Sequence, residues 1–291
     1  MNKFKLIIVV MLVTLTSCSA HTDELQMAHD TTTRSFRVAS YNIRYNPPSD
    51  EESGNGWDVR KGPLSELILR HRFDLVATQE GDEGQLANLM ELLPGFDYVG
   101  FPYGGNDMHL CATLYKKDLF SVIDKGVFWF SETPEVPSIG WDATDRRICT
   151  WTKFNVKGTE KEFYVFNVHF YWRLEIAKKE SGPLLAKKIK EISNGTPVIV
   201  MGDFNSTENT SQIKAIKETV MDAFDVTQSP REGVIGTNLG GGVFQGNVKN
   251  RIDYIFVSSE FTVEDYKVIS DTYGTGKYPS DHLPVTSMVS F

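Results

Sequence analysis

Short β-rich runs separated by turns are the feature that most limits how this chain can fold. Such runs lie at 36–43, 74–79, 112–115, 127–130, 148–156, 163–170, 198–201, 252–257 and 283–289. Helical patterns occur only at intervals, most clearly at 61–70, 84–93, 174–192 and 211–219. Many short strands with a few covering helices predict an α/β fold, a four-layer sandwich in which two mixed β-sheets pack face to face and helices flank them.

Length and composition fit a single catalytic domain. The chain has 291 residues, of which 41% are hydrophobic and 23% charged, which is ordinary for a globular enzyme. No glycine-rich loop follows the first β-rich run, so the sequence indicates neither a Rossmann fold nor a P-loop. We place the domain at 35–291.

The N-terminal residues are typical of a targeting signal. A basic start and an apolar core at 6–15 precede Leu-Thr-Ser-Cys, which ends at Cys18. This order matches a lipobox, which a bacterial signal peptidase cuts to leave an acylated cysteine. We predict a lipoprotein signal peptide at 1–17, a lipid anchor at Cys18 and a flexible tether at 18–34, hence export to the periplasmic or cell-surface side of a bacterial membrane. A plain signal peptide or a short membrane anchor is the alternative, although the apolar core is short for a bilayer.

The charge balance bears on possible partners. The chain carries 30 Lys and Arg against 38 Asp and Glu, and removal of 1–17 takes away two lysines, which changes the net charge from −8 to −10. An acidic surface weakens the case for nonspecific duplex binding, which depends on basic residues that displace counterions. It does not exclude a nuclease, because a bound divalent cation adds positive charge where phosphate docks.

Two cysteines remain besides Cys18. Cys111 and Cys149 both lie in apolar, strand-like runs, where a free cysteine behaves as a small hydrophobic residue. An oxidising compartment would allow them to pair, but we predict that they are unpaired. Their spacing offers no zinc-finger or iron–sulfur pattern.

Polar residues with metal-binding or acid/base chemistry lie where the β-rich runs meet turns. The six segments are Ser40-Tyr41-Asn42, Gln79-Glu80, Asn167-Val168-His169, Gly202-Asp203-Phe204-Asn205, Arg251-Ile252-Asp253-Tyr254 and Ser280-Asp281-His282. Each segment alone is a weak signal, because an Asp or Asn after a strand is usually a turn former and a lone His is usually structural. Together they place such a residue at the end of each strand. They therefore predict a cluster of polar side chains at one edge of the sheets.

In these six segments the chain resembles the endonuclease/exonuclease/phosphatase superfamily, which has the DNase I-like fold. The match covers residues 36–290, and segments 128–134 and 140–151 are further similar to a bacterial secreted subgroup. The resemblance implies hydrolysis of a phosphodiester or phosphomonoester by in-line attack of a metal-activated water. Candidate substrates are DNA, RNA in a 3′–5′ exoribonuclease manner, nucleotide-like small molecules, inositol phosphates and sphingomyelin-type lipids, and the fold alone does not choose among them.

The resemblance also implies a metal site. Glu80 with Asn42 holds the cation, and Asp281 holds the same ion or a second one. Carboxylate and amide oxygens favour Mg²⁺, with Mn²⁺ as an alternative. Such an ion neutralises phosphate charge and activates water.

The remaining implied roles are catalytic. Asp203 orients or deprotonates the attacking water, and Asn205 fixes that water. His282, oriented and kept cationic by Asp253, binds a phosphoryl oxygen. His169 stabilises the pentacovalent state from another side.

One departure from the subgroup follows His169. Many relatives have Leu-Asp-His at this point, whereas this chain has Phe170-Tyr171-Trp172. The favoured interpretation is that Tyr171 and Trp172 begin the next helix on an apolar face. The alternative is a stacking platform for a base or a sugar ring.

Two other functions stay open. A noncatalytic surface binding module would have lost Glu80, Asp203 or His282, and all three are present. A lipid or inositol-phosphate phosphodiesterase would need an exposed apolar loop near the cleft, for which 234–244 is the candidate. Whatever its function, we expect the protein to be a monomer.

The lipobox gives a prediction about location. Cys18→Ser should release the protein from the membrane fraction, because acylation at this sulfur is the predicted anchor. Fractionation of cells that express the natural chain and the variant measures this. An unchanged membrane fraction would contradict the lipobox.

Overall fold

A computed structural model describes residues 34–291. The predicted signal peptide, Cys18 and nearly all of the tether lie outside the described residues. The strands are β1 (Ser35–Asn42), β2 (Leu75–Gln79), β3 (Phe96–Gly104), β4 (Asp107–Lys116), β5 (Phe120–Trp129), β6 (Ile148–Val156), β7 (Glu162–His169), β8 (Val198–Asp203), β9 (Met221–Asp222), β10 (Asp253–Val257), β11 (Thr262–Val263), β12 (Lys267–Val268) and β13 (Val285–Ser290). The helices are α1 (Pro48–Glu52), α2 (Trp57–Arg70), α3 (Glu83–Leu92), α4 (Glu175–Ser193), α5 (Ser211–Lys217) and α6 (Ala223–Val226).

The strands form two mixed sheets. The first has the order β11-β13-β1-β2-β4-β3, with β12 also paired to β13, and the second has the order β5-β6-β7-β8-β10-β9. Strand β1 runs parallel to β2, and β7 runs parallel to β8. The other pairs are antiparallel, so the predicted two-sheet α/β sandwich is confirmed.

Alternation along each strand builds the layers. In β1, Phe36 and Val38 belong to the central core between the sheets, whereas Ala39 and Tyr41 belong to a second core with α2 and α3. A third core packs the outer face of the second sheet against α4 and α5. Successive strand residues point to opposite faces, so these apolar runs can be buried on both sides.

Local sequence fixes where α3 begins. Asp82 accepts a hydrogen bond from the backbone N–H of Gln85 at 2.8 Å, and the Gln85 side chain accepts one from the Asp82 N–H at 3.3 Å. This capping box satisfies two N–H groups that would otherwise lack partners, and replacing such a cap costs about 1 kcal/mol. The N-cap Asp82 lies two residues after Glu80, and the helix begins at Glu83.

Two sequence interpretations need correction. Strand β3 was not predicted, because Gly100, Pro102 and Gly104 give its sequence the composition of a loop. Helix α4 begins at Glu175, so Tyr171 and Trp172 precede the helix and do not start it.

Cys111 and Cys149 are free and buried, as predicted. Burial raises the pKa of both thiols, so they act as apolar core residues. None of the helices within 34–291 has the length and hydropathy needed to cross a membrane.

Candidate active site

The candidate site lies where an edge of the first sheet meets an edge of the second sheet. Strands β1, β2, β7 and β8 end at this edge. Asp253 instead opens β10, opposite Asp203 in register, and Asp281 and His282 precede β13. The sequence had placed these three at strand ends. They reach the same edge because β10 and β13 run antiparallel to their neighbours.

Alternation explains why most of these side chains point inward. Asn42, His169, Asp203 and Asp253 share the phase of the residues that form the central core in their strands. They therefore continue that core at its end as a polar layer between the sheets.

Glu80 does not follow this rule. Continued alternation beyond β2 would direct it toward the outer helices. Its backbone instead adopts the left-handed conformation, with φ of 71°, which is uncommon for a residue with a side chain. This turn brings its carboxylate to Asn42, and such local strain clusters at functional sites.

The Asn42 amide joins the two sheets. Its Nδ2 donates to Glu80 Oε1 at 2.9 Å and to Asp203 Oδ2 at 3.1 Å. Its Oδ1 accepts from the Arg44 backbone N–H at 3.0 Å, which fixes the orientation of the amide. Asn42 thus contributes to the predicted metal site by holding two carboxylates.

Asp203 is a buried carboxylate held by several donors. The backbone N–H of Asn205 donates to its Oδ1 at 2.9 Å, and the Asn205 side chain donates to the Phe170 carbonyl at 3.0 Å. Burial, and then the charge of Asp253, raise the pKa of Asp203 to about 7. Gly202 is required beside it, because a Cβ there would lie 2.1 Å from the Val168 carbonyl oxygen.

His282 and Asp253 form a direct pair. The Nδ1 of His282 lies 2.9 Å from Asp253 Oδ2, and its Nε2 lies 3.8 Å from Asp203 Oδ2. Burial alone would lower the pKa of His282, but the carboxylates of Asp253 and Asp203 raise it well above the ordinary value. His282 is therefore an imidazolium that donates to Asp253 and directs its other N–H into the site.

His169 has the opposite protonation state. Burial, with Arg147 and His282 nearby, lowers the pKa of His169 well below the ordinary value. Its Nδ1 lies 2.5 Å from the hydroxyl of Tyr103, and the Cys111 thiol donates to that hydroxyl at 3.8 Å. The hydroxyl is then free to donate to Nδ1, which leaves the proton of the neutral ring on Nε2.

Sequence reasoning missed Tyr103 because it lies in the unpredicted strand β3. The indole N–H of Trp129 donates to the Tyr103 carbonyl at 2.7 Å, and this bond helps to keep Trp129 buried in the core. A tyrosine inside Phe-Pro-Tyr-Gly-Gly carries no signal that would distinguish it from a loop residue.

The site fits a divalent cation. Glu80, Asp203, Asp253 and Asp281 bring four carboxylates to one largely buried place. Carboxylate oxygens of Glu80 and Asp203 lie within 4.8 Å of one another, as do those of Asp203 and Asp253. Excess buried negative charge with oxygen donors suits Mg²⁺ or Mn²⁺.

Asp281 lies outside both of these groups. Its Oδ2 accepts from the Gly242 backbone N–H at 2.7 Å and lies 3.7 Å from Arg44 Nη1. It therefore borders the cluster on the side of the glycine-rich loop at 240–242.

A cavity of about 530 Å³ opens over these residues. Glu80, His169, Asp203, Asn205, Asp281 and His282 form its floor, and Tyr45, Asp107, His109, Asp145, Arg147 and Trp172 lie around it. The side chain of Trp172 is 55% exposed, whereas Tyr171 is buried and its hydroxyl lies 3.0 Å from Thr144 Oγ1.

Comparison with known proteins identifies the class. The Endonuclease/Exonuclease/phosphatase family model matches residues 39–282, and the chain belongs to this family. The members are hydrolases of phosphate esters, so the chain is a phosphate ester hydrolase. This excludes the noncatalytic binding module.

Solved structures agree with this assignment. A mannosyl-6-phosphatase of Bacteroides thetaiotaomicron is 37% identical, with a TM-score of 0.83 over 88% of this chain and 100% of that one. Another family protein of the same organism is 36% identical, with a TM-score of 0.83 over 89% and 96% of the two chains. A mimivirus protein without a described function is 30% identical over 79% of this chain and 90% of its own length.

The His282–Asp253 pair gives a prediction about the two as a unit. His282→Ala and Asp253→Ala should each lower kcat by roughly 10²–10⁴-fold, with little change in Mg²⁺ affinity, because they position a cationic donor. Asp253→Ala in the His282→Ala background should add almost no further loss. Kinetics of the two single variants and the double variant measure this. Additive losses, or a Mg²⁺ requirement raised by Asp253→Ala alone, would make Asp253 an independent metal ligand.

Proposed function

We propose that the protein is a Mg²⁺-dependent phosphomonoesterase that acts on a sugar phosphate. The observation that carries this proposal is one compact cavity, with phosphate-handling groups on its floor and aromatic and acidic groups on its rim. Its volume of about 530 Å³ falls in the range of about 300–1,000 Å³ typical of sites for single small molecules.

Two side chains that line the cavity supply positive charge for a phosphate. His282 is cationic, and Arg147 has no carboxylate within ion-pair distance in the part of the chain described. The guanidinium of Arg147 donates to the carbonyls of Phe170 and Arg146 at 3.3 and 3.0 Å. An arginine held by carbonyls keeps its full charge for a ligand, which suits a dianionic monoester.

The rim suits a sugar better than a nucleic acid. Asp107 and Asp145 are acceptors for hydroxyl groups, and the exposed ring of Trp172 offers a flat apolar face for a sugar ring. The same two carboxylates would repel the phosphates that flank the scissile bond of a polynucleotide. The mannosyl-6-phosphatase among the similar structures supports the choice of a sugar phosphate.

Each of four residues has its own role in the hydrolysis. Asp203 accepts a proton from the attacking water, since burial and the charge of Asp253 raise its pKa and make it a stronger base than an ordinary carboxylate. Asn205 orients this water. His282 donates to a phosphoryl oxygen, and neutral His169 donates from Nε2 to the charge that develops during direct in-line attack.

Glu80 and Asn42 would hold the divalent cation, with Asp281 on the side of the glycine-rich loop. When bound, this ion neutralises phosphate charge and polarises the ester. We also propose that the protein is exported and tethered through Cys18, which would place the site outside the cytoplasm.

A lipid or inositol-phosphate phosphodiesterase is the second candidate. The loop at 234–244 carries exposed Ile235, at 70%, together with half-exposed Val234 and Val243. Gly240 and Gly241 of the same loop line the cavity, so this apolar segment lies close to the cleft. Such a loop suits contact with a lipid surface.

A panel of phosphate esters tests the substrate class. Hexose 6-phosphates should be hydrolysed with Mg²⁺ or Mn²⁺, and kcat/KM should exceed that of bis(p-nitrophenyl) phosphate and short RNA by roughly 100-fold or more. EDTA should abolish the activity, and Glu80→Ala should abolish the cation-dependent activity without unfolding the protein. Preference for RNA or for phosphatidylinositol vesicles would replace the sugar phosphate with those substrates.

Trp172 gives a sharper test of the sugar. Trp172→Ala should raise KM for a hexose phosphate by roughly 5-fold, as expected for loss of about 1 kcal/mol of ring contact, and leave glycerol 3-phosphate unaffected. Ile176→Ala is the matched control, because Ile176 is 54% exposed in α4 and does not line the cavity. Equal effects on both substrates would remove Trp172 from sugar recognition.

A further inference from the structure

Arg60, in α2, is a fully buried cation without a carboxylate partner. It is 0% exposed and among the largest fully buried side chains of the described chain. No Asp or Glu of residues 34–291 lies within ion-pair distance of it. A buried charge of this kind is stable only when its hydrogen-bonding capacity is filled.

Five backbone carbonyls fill that capacity. The acceptors are Asn55 for Nε at 2.8 Å, Ile43 and Pro279 for Nη1 at 2.8 and 3.1 Å, and Arg44 and Tyr45 for Nη2 at 3.2 Å each. A guanidinium has five N–H donors, so each carbonyl matches one donor. The rings of Trp57 and Phe244 lie 5.4 and 5.2 Å from the guanidinium carbon.

These carbonyls belong to the chain segments that present the predicted metal ligands. Segment 43–45 directly follows Asn42, and the Tyr45 N–H donates to Glu80 Oε2 at 3.3 Å. Pro279 lies two residues before Asp281. The two segments are distant in sequence, and one planar side chain holds both.

The glycine-rich loop is tied to the same point. Phe244 packs on the guanidinium, and Gly242 of this loop donates its N–H to Asp281 Oδ2 at 2.7 Å. The hydroxyl of Ser280 adds one more tie, a bond of 2.7 Å to the Asn42 carbonyl.

We infer that Arg60 is a positioning residue. It sets the distance from Glu80 and Asn42 to Asp281, and thereby the affinity of the site for a divalent cation. It touches none of these side chains and acts through the backbone that carries them. The inference rests on the proposed function only in requiring a divalent cation at this site. Lysine cannot replace it, because three donors on a single nitrogen do not span five carbonyls.

Direct metal binding tests the inference without relying on activity. Calorimetric titration of EDTA-treated, dialysed protein with Mg²⁺ and Mn²⁺ should show binding weakened about 10–100-fold in Arg60→Lys, the range found when groups that support metal ligands are removed. Arg37→Lys is the control, because Arg37 is mostly buried at the opposite end of β1 and pairs with Asp265 at 2.8 Å. Its binding should be unchanged. If Arg60→Lys binds the cations within twofold of the natural protein, or if Arg37→Lys loses as much affinity as Arg60→Lys, the inference is overturned. The proposed function is unaffected by either result.

Hydrogen exchange of the natural protein gives a second test that needs no variant. Peptides that cover 43–45 and 277–283 should exchange slowly in metal-free protein and change little when Mg²⁺ is added, because Arg60 already holds them. Fast exchange that slows only with Mg²⁺ would show that the metal orders these segments, and would overturn the inference. No Mg²⁺ or Mn²⁺ binding by the natural protein would overturn the proposed metal dependence and this inference together.

Discussion

The bridge made by the Asn42 amide is the contact on which the rest of the site depends. It donates to Glu80, next to its own sheet, and to Asp203 of the other sheet. Buried carboxylates lose hydration and repel one another, so they stay together only where donors satisfy them at fixed distances. The two sheets must therefore meet at a defined separation, and the 2.8 Å bond between Gln79 and Asn167 maintains that separation one layer deeper.

The same packing gives two histidines different chemistry. His169 and His282 are both buried near Asp203, yet His169 is neutral and His282 is cationic. A direct hydrogen bond to Asp253 at 2.9 Å outweighs desolvation for His282. His169 hydrogen-bonds to the neutral hydroxyl of Tyr103, and its Nε2 lies 3.6 Å from Asp203 Oδ2 without a carboxylate at hydrogen-bond distance. Environments that separate the pKa values of two like groups allow them to take different roles in one reaction.

Much of this arrangement follows from local sequence. Short β-rich runs predicted two packed sheets flanked by helices. Along each strand successive side chains point to opposite faces, and this phase directs Asn42, His169, Asp203 and Asp253 between the sheets. Glu80 was found by its place after a strand. Its orientation depends on a left-handed backbone conformation that the sequence does not predict. Tyr103 and Arg60 were not found. Tyr103 lies in a strand with loop-like composition, and Arg60 directly precedes the predicted helix at 61–70, where nothing in the local sequence marks it as buried.

The sequence by itself determined the two-sheet sandwich, from its short β-rich runs and the few helical patterns between them. It also determined the class of chemistry, from the six segments that resemble the endonuclease/exonuclease/phosphatase superfamily. Only the tertiary structure decided which of those residues touch, which histidine is charged, and that Trp172 is exposed at the cavity while Tyr171 is buried. Contacts such as those of Arg60 with Tyr45 and Pro279 join segments more than 200 residues apart in sequence. They are fixed by how the sheets and helices pack, which no local pattern encodes.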